Sequence, residues 1–472
     1  MSGKTIAIVG AGPSGLFAAV ELCRAGLGNK VAIFDKGKDL NSRACPAQGK
    51  QINCIKCKNC SITTGMGGAG TFSDGKITLS PGTGGSFEAL GIMTKQKVQD
   101  ELNKVMQDFC EFGATDKLYG SNNKKVTEIR NKALQAGLDF VPSIIQHIGS
   151  DALRNTVLKN IKQYLTQNGV SIRLECEILG VSKNENGLWT VAFKSGSSEE
   201  VNETFEKVVL AVGREGSKWL QNVLVKNNLP IMQNPVDIGV RVEIPHSIAE
   251  KITDEFHNMK FVYHTDTFDD QVRTFCCCPK GFVTTETYDG LVLVNGFSNS
   301  SHGEKSDNTN FAILVTVDFT KPFNQPVEYA RNIATLSNYL GDPVLVQRLG
   351  DLRAGKRSTP ERIKRSTVKP TLKTATPGDL SFVLPHRILT DILEMLEALD
   401  KVVPGVNSKH TLLYGVETKF YSIRTPLSEH FQAKTHGLYI IGDGSGTCRG
   451  ISHSAISGKM AAADIVVEYK NT

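Results

Sequence analysis

The stretch from residue 5 to residue 35, TIAIVGAGPSGLFAAVELCRAGLGNKVAIFD, constrains the fold of this chain more than any other. Its first residues, Thr5–Val9, are β-branched or apolar and predict a short buried strand. A glycine-rich turn at residues 10–15 leads into an apolar helical pattern, and a second predicted strand ends at Asp35. A strand, glycine turn, helix, strand and acidic residue in this order are typical of a dinucleotide-binding βαβ unit.

The glycines of this turn each have a mechanical role. Gly10 permits the tight turn, Gly12 lets the backbone approach a pyrophosphate, and Gly15 lets the helix pack closely on the sheet. The N–H groups and the positive dipole at the helix start would bind the phosphates, and Asp35 would bind the ribose hydroxyls. We therefore predict a nucleotide site that includes Gly10, Gly12, Pro13, Ser14, Gly15, Asp35 and Lys36.

Length and composition indicate a globular protein of two or three domains, because 472 residues exceed what one hydrophobic core usually organises. No apolar run approaches the roughly 18 residues that span a bilayer. The first strand begins too early to leave room for a signal peptide. The eleven cysteines are odd in number and unevenly clustered, which favours a reducing compartment over a disulfide framework. We expect a cytoplasmic protein with no membrane span.

The net charge of +6 is concentrated in residues 353–373, which hold eight Lys or Arg residues and one Glu. The rest of the chain has no basic excess and no recognised nucleic-acid-binding module, so we expect no nucleic-acid partner. Two interpretations of the basic segment stay open. It is either a solvated loop or a cationic strip over an active-site mouth that attracts an anionic substrate. Arg348 and Arg353 are candidates for pairing with a substrate carboxylate.

Three separated segments resemble the FAD-binding domain of the glutathione-reductase-like flavoproteins. They are the stretch at 5–35, LAVGR at 210–214 and LYIIGDGSGTCRGISHSAISG at 438–458. The resemblance implies an α/β fold, in which a glutathione-reductase-like FAD-binding Rossmann domain carries an inserted β-rich α+β substrate domain. It also implies that Asp443 binds a ribityl hydroxyl of FAD. Gly450 and Ile451 would face flavin N1 and O2, where the helix dipole stabilises negative charge on reduced flavin.

A glycine-rich loop at residues 65–76 is expected to lie against the flavin ring, where its backbone N–H groups would serve N5 and O4. The remaining predicted cofactor contacts are Gly67, Gly68, Ala69, Gly70, Val181, Gly213 and Gly442.

The sequence pattern divides the chain into five segments. We predict a first part of the FAD-binding domain at 1–85 with a Cys- and Gly-rich loop at 36–85, a helical cap at 86–137, a second part of the FAD-binding domain at 138–230, a substrate domain with an antiparallel sheet and helices at 231–410, and a third part of the FAD-binding domain at 411–472. An irregular loop as long as residues 36–85 is normally found in compact proteins only where it is functional.

A narrower resemblance covers most of the chain. It is carried by Cys45-Pro46, CxxCxxC at 54–60, GMGGAGTFSDGK, HIGSD, VDIGVRVE, RTFCCCPKG, NGFSN and YGVET. These motifs resemble a group of FAD-dependent dehydrogenases that is classed as oxidoreductase and named by sequence rather than by a known reaction. Residues 419–424 read KFYSIR and depart from the more Ser- and Pro-rich stretch of that group.

The function expected from these resemblances is hydride transfer between flavin N5 and an organic substrate. The chain has one GxGxxG motif that connects a predicted strand to a predicted helix, at residues 10–15. A nicotinamide donor would therefore bind transiently, or an external carrier would exchange electrons with the flavin. Two alternatives stay open. One is a single-component flavin monooxygenase, and the other is an electron-transfer or redox-sensing flavoprotein with a cysteine-ligated metal centre.

The loop cysteines Cys45, Cys54, Cys57 and Cys60 are the predicted metal ligands. Four thiolates suit a [4Fe–4S] cluster or tetrahedral zinc. Reduced loop thiols that bind no metal are the third interpretation.

The candidate catalytic residues are Ser73, Asp74, Lys76, Cys276 and Cys278. The first three are the polar members of the glycine-rich loop, although Asp74 followed by glycine is also a common turn. Strand alternation predicts that Cys276 and Cys278 share one face, either as thiols near the flavin or as small core residues. His147 and His453 are proton-shuttle or structural candidates.

Overall fold

The computed structural model describes residues 5–46, 55–85, 87–196, 198–288, 290–299, 303–319, 322, 325–419 and 423–471. The strands are β1 (Ile6–Val9), β2 (Val31–Phe34), β3 (Lys76–Thr78), β4 (Leu118–Tyr119), β5 (Asp139–Phe140), β6 (Ile145–His147), β7 (Ser171–Arg173), β8 (Cys176–Lys183), β9 (Trp189–Ser195), β10 (Val201–Phe205), β11 (Lys207–Leu210), β12 (Val236–Pro245), β13 (Phe261–His264), β14 (Gln271–Cys278), β15 (Phe282–Tyr288), β16 (Leu291–Phe297), β17 (Asn308–Val317), β18 (Leu345–Arg348), β19 (Thr376–Pro377), β20 (Leu412–Lys419) and β21 (Leu438–Ile440).

The α-helices are α1 (Pro13–Arg24), α2 (Lys95–Glu111), α3 (Asn123–Gln135), α4 (Ser150–Ala152), α5 (Leu158–Gln167), α6 (Ser217–Lys226), α7 (His246–Phe256), α8 (Pro326–Gly341), α9 (Leu349–Arg353), α10 (Pro360–Lys364), α11 (His386–Asp400) and α12 (Gly450–Asn471). Within the described residues, no helix is both long and apolar enough to span a membrane.

One sheet has five parallel strands in the order β21–β11–β1–β2–β7. All residues of β1, β2 and β11 are buried, which explains the continuous apolar sequences of β1 and β2. Val9 is in register with Phe34 and Leu210, and Leu210 is in register with Ile440. The carboxyl ends of β21, β11, β1 and β2 therefore lie side by side at one edge of the sheet. This arrangement confirms a mixed α/β fold with a Rossmann-like unit.

A second sheet has eight strands in the order β19–β18–β20–β12–β17–β14–β13–β5. At its centre, the ten-residue strands β12 and β17 pair antiparallel along their whole length. Buried residues of α7, α8 and α11 join those of β12 and β17 in one hydrophobic cluster. Strand β20 begins just after the predicted segment boundary at residue 410. It nevertheless pairs with β12 and β18 in this sheet.

The segment 86–137, expected to form a helical cap, contains two helices that join different cores. Val98, Leu102 and Phe109 of α2 pack in the cluster that contains α1 and α12. Ile129 and Ala133 of α3 pack instead in the cluster of the eight-stranded sheet. Helix α2 therefore packs with the core that includes α1 and α12, and α3 packs with the core of the eight-stranded sheet.

Candidate functional site

Three glycines allow backbone segments to pack closely at the edge where the parallel strands end. A Cβ on Gly10, whose φ is +114°, would lie within 3.0 Å of the Ala211 carbonyl oxygen. A Cβ on Gly15 would lie within the same distance of the Gly10 carbonyl oxygen, and a Cβ on Gly458 would overlap the backbone of Ser14. The absence of side chains here lets α1 and α12 pack against each other and against the glycine turn.

Three other glycines leave open space beside the backbone. A Cβ added to Gly12 would lie 3.9 Å from the Gly68 Cα, which is an ordinary contact distance. A Cβ added to Gly213 or Gly450 would meet nothing within 4 Å. The three positions come from distant parts of the chain, yet they follow or adjoin neighbouring strands of one sheet. They form a backbone-lined cradle of the kind that a dinucleotide requires. The residues present therefore fit the predicted cofactor.

The glycine-rich loop returns to this cradle. The Gly67 N–H donates to the Ala11 carbonyl at 2.8 Å, and a Cβ on Gly68 would lie 2.9 Å from the Gly12 Cα. A Cβ on Gly70 would lie 3.1 Å from Ile451 Cγ1. Of the predicted cofactor residues, the structure thus brings the turn at 10–15, the loop at 67–70 and the start of α12 together.

Asp35 is held beside the glycine turn by backbone N–H groups. Its Oδ2 accepts from the Ala11 N–H at 2.9 Å, and its Oδ1 accepts from the Gly37 N–H at 2.8 Å. The neighbouring Lys36 ammonium lies 3.5 Å from the Glu215 carboxylate. Val181 lies in β8, and its side chain is fully buried in a core that contains Trp189 and the strand-end residues Val9 and Phe34.

Asp443 follows β21 at the same edge and pairs with a residue that the sequence analysis did not single out. Arg214 Nε lies 3.0 Å from Asp443 Oδ2. Burial raises the pKa of Asp443, and the nearby charges of Arg214 and Lys419 oppose that rise. Arg214 is the last residue of LAVGR, and its place in that motif is the sequence feature that could have identified it as a site residue.

This pair begins a chain of charges that alternate in sign. Its members are Asp443, Arg214, Glu286, Lys419, Glu417 and Arg241. The successive N···O distances are 3.0, 4.0, 3.5, 3.0 and 3.4 Å. Arg241 and Glu417 lie in the centre of the eight-stranded sheet and are 0% and 1% exposed. The chain of charges connects the edge of the parallel sheet to the interior of the other sheet.

Asp74 forms the centre of a second cluster at the junction of the two sheets. Its Oδ2 lies 2.5 Å from Lys76 Nζ, and its Oδ1 lies 3.0 Å from His147 Nε2. The Ser298 hydroxyl donates to Oδ1 at 2.6 Å, and His257 Nε2 lies 4.0 Å away. Lys76 and His147 are register partners in β3 and β6, whereas the other two residues follow β16 and α7. We call these five residues the junction cluster.

The charge states in the junction cluster follow from burial and ion pairing. Burial opposes ionisation of Asp74, but Lys76 and the two histidines hold the pKa of its carboxyl well below the usual value. Burial likewise opposes the charge of Lys76, and Asp74 nevertheless raises the pKa of its ammonium. Burial lowers the pKa of His257 to about 4. At neutral pH the cluster therefore contains a buried ion pair beside a neutral imidazole.

The same cluster has the donor set of a metal site, because ligand atoms of Asp74, His147 and His257 lie within 4.8 Å of one another. Lys76, however, already neutralises the carboxylate and would repel a cation. The arrangement therefore favours proton transfer over metal binding. Ser73 is turned away from the cluster, since its hydroxyl donates to the Gly70 carbonyl at 2.6 Å.

The prediction that Cys276 and Cys278 share one face of their strand is wrong. The register between β14 and β17 shifts between Phe275 and Cys278, and such a bulge interrupts the alternation of side chains. Cys276 is exposed, whereas Cys277 and Cys278 are buried. Burial raises the pKa of both buried thiols to about 12, so neither is a thiolate at neutral pH.

A metal centre in the cysteine loop is not supported. Cys54 lies outside the described residues, and Cys45, Cys57 and Cys60 are free and partly buried. In the described part of the chain, these three thiols join no group of three metal-ligating side chains.

The arginines and the basic segment singled out from the sequence have their own partners. Arg348 Nε donates to Asp351 at 2.9 Å, and Arg353 donates to Glu397 at 2.8 Å. Thr371, within the basic segment, donates to Glu243 near the end of β12. His453 is buried, lies against Gly84 and Gly85, and has its pKa lowered by burial to about 4.

Two family models match this chain. Residues 235–420 match the model described as "FAD-dependent protein, C-terminal domain-like". Residues 8–53 match the model described as "NAD(P)-binding Rossmann-like domain". The two matches support an FAD-dependent oxidoreductase. The second match covers the glycine turn and Asp35, and the first covers β12 to β20 of the eight-stranded sheet.

Among full-length relatives, an uncharacterized protein of Clostridium beijerinckii is 26% identical over 490 residues, which cover 98% of this chain and 80% of that protein. Two solved structures are also similar. CtdE in complex with FAD is 10% identical, with 98% of this chain and 84% of that chain covered and a TM-score of 0.37. Glycine oxidase from Geobacillus kaustophilus is 12% identical, with 98% and 94% covered and a TM-score of 0.38. At such scores the likeness adds nothing to the assignment, which depends on the family models.

Proposed function

We propose that this FAD-dependent oxidoreductase is a dehydrogenase or reductase that exchanges a hydride with an organic substrate bound at the junction of the two sheets. FAD, when bound, supplies the hydride chemistry at its N5 atom, and the protein supplies binding, orientation and charge. The observation that carries the proposal is the junction cluster, which follows directly on the glycine loop packed against the cradle.

The residues proposed to hold FAD come from the first and the third predicted parts of the FAD-binding domain. The turn at 10–15 would bind the pyrophosphate with its N–H groups, and Asp35 would bind a ribose. Asp443 would bind the ribityl chain. The loop at 67–70 and the first residues of α12 would lie beside the flavin ring. We also propose that this domain has the arrangement of the FAD-binding domain in glutathione-reductase-like flavoproteins.

The proposed proton acceptor is His147. Removing a hydride from an alcohol or amine carbon also requires removal of the proton on its heteroatom. With its Nε2 proton donated to Asp74, the imidazole accepts the substrate proton at Nδ1, and the carboxylate stabilises the resulting imidazolium. Lys76 keeps Asp74 ionised, so it acts as a positioning residue for this step.

Flavin binding is tested by comparing two glycine substitutions. A side chain in Gly12→Val would occupy the cradle, whereas one in Gly82→Val, also open but outside the cradle, would not. We expect purified wild-type protein and Gly82→Val to show flavin absorbance and Gly12→Val to lose it. Colourless wild-type protein that takes up no added FAD would overturn the proposal.

The type of reaction is tested without oxygen. Alcohols, amines, hydroxy acids and amino acids are added anaerobically to the holoenzyme, and we expect one class to bleach the flavin band. If no compound bleaches it, but oxygen and a nicotinamide donor together produce a hydroxylated product, the protein is a monooxygenase and the hydride proposal is wrong.

A further inference from the structure

Three half-buried cations lie together near the start of α12: one directly precedes this helix in the chain, and the other two come from the region of the paired strands β13 and β14. They are Lys260, Arg273 and Arg449, which we call the cation pocket. Arg273 Nη2 donates to both carboxylate oxygens of Asp237 at 2.8 Å, and Arg449 Nη1 lies 3.9 Å from the same carboxylate. Asp237 is fully buried. One buried carboxylate is therefore shared by two guanidinium groups.

Lys260 adds a third positive charge with no carboxylate within ion-pair distance among the described residues. Its ammonium donates to the Thr83 hydroxyl at 2.8 Å and to the Gly82 carbonyl at 3.4 Å. Both partners are neutral. In the described part of the chain, the pocket thus contains three cations and one carboxylate, which leaves an excess of positive charge.

The excess charge is unfavourable in the protein as it stands. Burial, together with Arg273 and Arg449, lowers the pKa of Lys260 to about 8. Burial lowers the pKa of Arg449 as well, and Arg273 and Arg214 add to that effect against the attraction of Asp237. A bound anion would relieve this repulsion. The side chains of Arg273 and Arg449 are 27% and 38% exposed, so an anion can reach them.

The cation pocket adjoins both parts of the site. Arg449 directly precedes Gly450, one of the three glycines of the cradle, and its N–H donates to the Gly84 carbonyl. Arg273 lies in β14, and Lys76 of the junction cluster donates to the carbonyl of Cys277 in the same strand. A ligand held by the pocket would therefore lie near both the cradle and the junction cluster.

We propose that the cation pocket binds an oxyanion of the substrate, a carboxylate or a phosphate, so that the substrate class is an organic acid or phosphate ester. This inference rests on the proposed function. A guanidinium fork matches both groups, because each presents paired acceptor oxygens. The lysine adds a charge without requiring a particular orientation.

Calorimetric titration of the FAD-loaded protein tests the pocket with three probes: benzoate, inorganic phosphate and uncharged benzamide. We expect benzoate or phosphate to bind, which identifies the preferred oxyanion, and benzamide not to bind. Lys260→Met keeps an apolar stem and leaves no carboxylate unpaired, so it should fold and weaken anion binding roughly tenfold. Arg353→Gln removes an arginine outside the pocket and should leave binding unchanged.

The outcomes separate this inference from the proposed function. If FAD binds but neither anion does, or if benzamide binds as well as benzoate, the cation pocket is not an oxyanion site while the proposed function stands. Equal anion affinity in Lys260→Met and in the wild type would also overturn the inference. If no FAD binds, the proposed function fails, and the same titrations are made on the flavin-free protein. Loss of anion binding in Lys260→Met then supports the oxyanion site. Absence of anion binding in the wild type overturns it.

Discussion

The strand-end edge of the parallel sheet and the junction between the two sheets are adjacent, but different interactions build them. At the edge, Gly10, Gly15 and Gly458 bring main-chain segments so close that a methyl group would overlap a backbone atom. At the junction, Asp74 is held by side chains that come from a loop, two strands and the end of a helix. Backbone packing thus shapes the proposed cofactor side, and charge pairing shapes the proposed substrate side.

This difference affects how each region tolerates substitution. A glycine packed against backbone cannot be replaced without moving a strand or helix, so the effect falls on the fold. A charged side chain in the junction cluster can be replaced without overlap. Its loss leaves another buried charge unpaired, so the effect depends on whether the partner is also removed.

The largest effect is expected for Gly15→Ala. Its Cβ would overlap the Gly10 carbonyl oxygen and approach the Cγ2 methyl of Ile8, and the backbone at Gly10 cannot move freely. We expect the free energy of unfolding of the flavin-free protein to fall by about 4 kcal/mol, measured by urea denaturation. Gly12→Ala is the matched control, since its Cβ meets open space. Equal stability of the two variants would show that backbone packing does not determine this edge.

A smaller loss is expected for Asp74→Asn, which leaves the Lys76 ammonium buried without its counter-charge. We expect a decrease of about 3 kcal/mol in the free energy of unfolding. The double variant Asp74→Asn/Lys76→Met removes both charges and should recover a large part of that loss. If the double variant is less stable than the single one, ion pairing is not what stabilises the junction.

The smallest effect concerns pH and His257, which faces Asp74, Lys76, His147 and Tyr119. Its pKa is about 4 in the folded protein against 6.5 for the unperturbed group, so the unfolded chain binds more protons between these values. The free energy of unfolding should therefore fall as the pH falls through this window, by about 1–3 kcal/mol from this residue.

Urea denaturation at pH 7 and pH 4.5 measures this dependence. His257→Gln should show a shallower loss of stability than the wild type, and the exposed substitution His386→Gln should not. A His257→Gln variant that loses as much stability as the wild type would show that burial does not keep this imidazole neutral.

What could be predicted from the sequence follows the same division. The pattern around the turn at 10–15 predicted the strand before it, the helix after it and the acidic residue that ends the second strand. The structure contains all three, as β1, α1 and Asp35 after β2. The motifs at 210–214 and 438–458 were assigned by resemblance to the same domain as the turn, and in the structure β11 and β21 pair in the parallel sheet. The glycine loop at 65–76 was expected to lie beside the flavin ring, and in the structure its residues 67–70 pack against the cradle. Arg214 was missed, although it stands inside one of these motifs.

The substrate side was less predictable. Strand alternation failed at Cys276 because a bulge depends on the register of two strands, which no local pattern records. Arg348 and Arg353 looked available for a substrate, but both are occupied by nearby carboxylates. Of the cations that do lie near the cradle, Arg273 and Arg449 stand inside quoted motifs, but neither motif indicates that the two side chains meet.

The sequence by itself determined the Rossmann-like unit and its glycine edge, because the steric freedom of glycine and the apolar character of buried strands act within a few residues. The tertiary structure decided which charges meet. An ion pair depends on the distance between side chains, and in this protein residues such as Asp237, Arg273 and Arg449 come within reach of one another only after both sheets have formed.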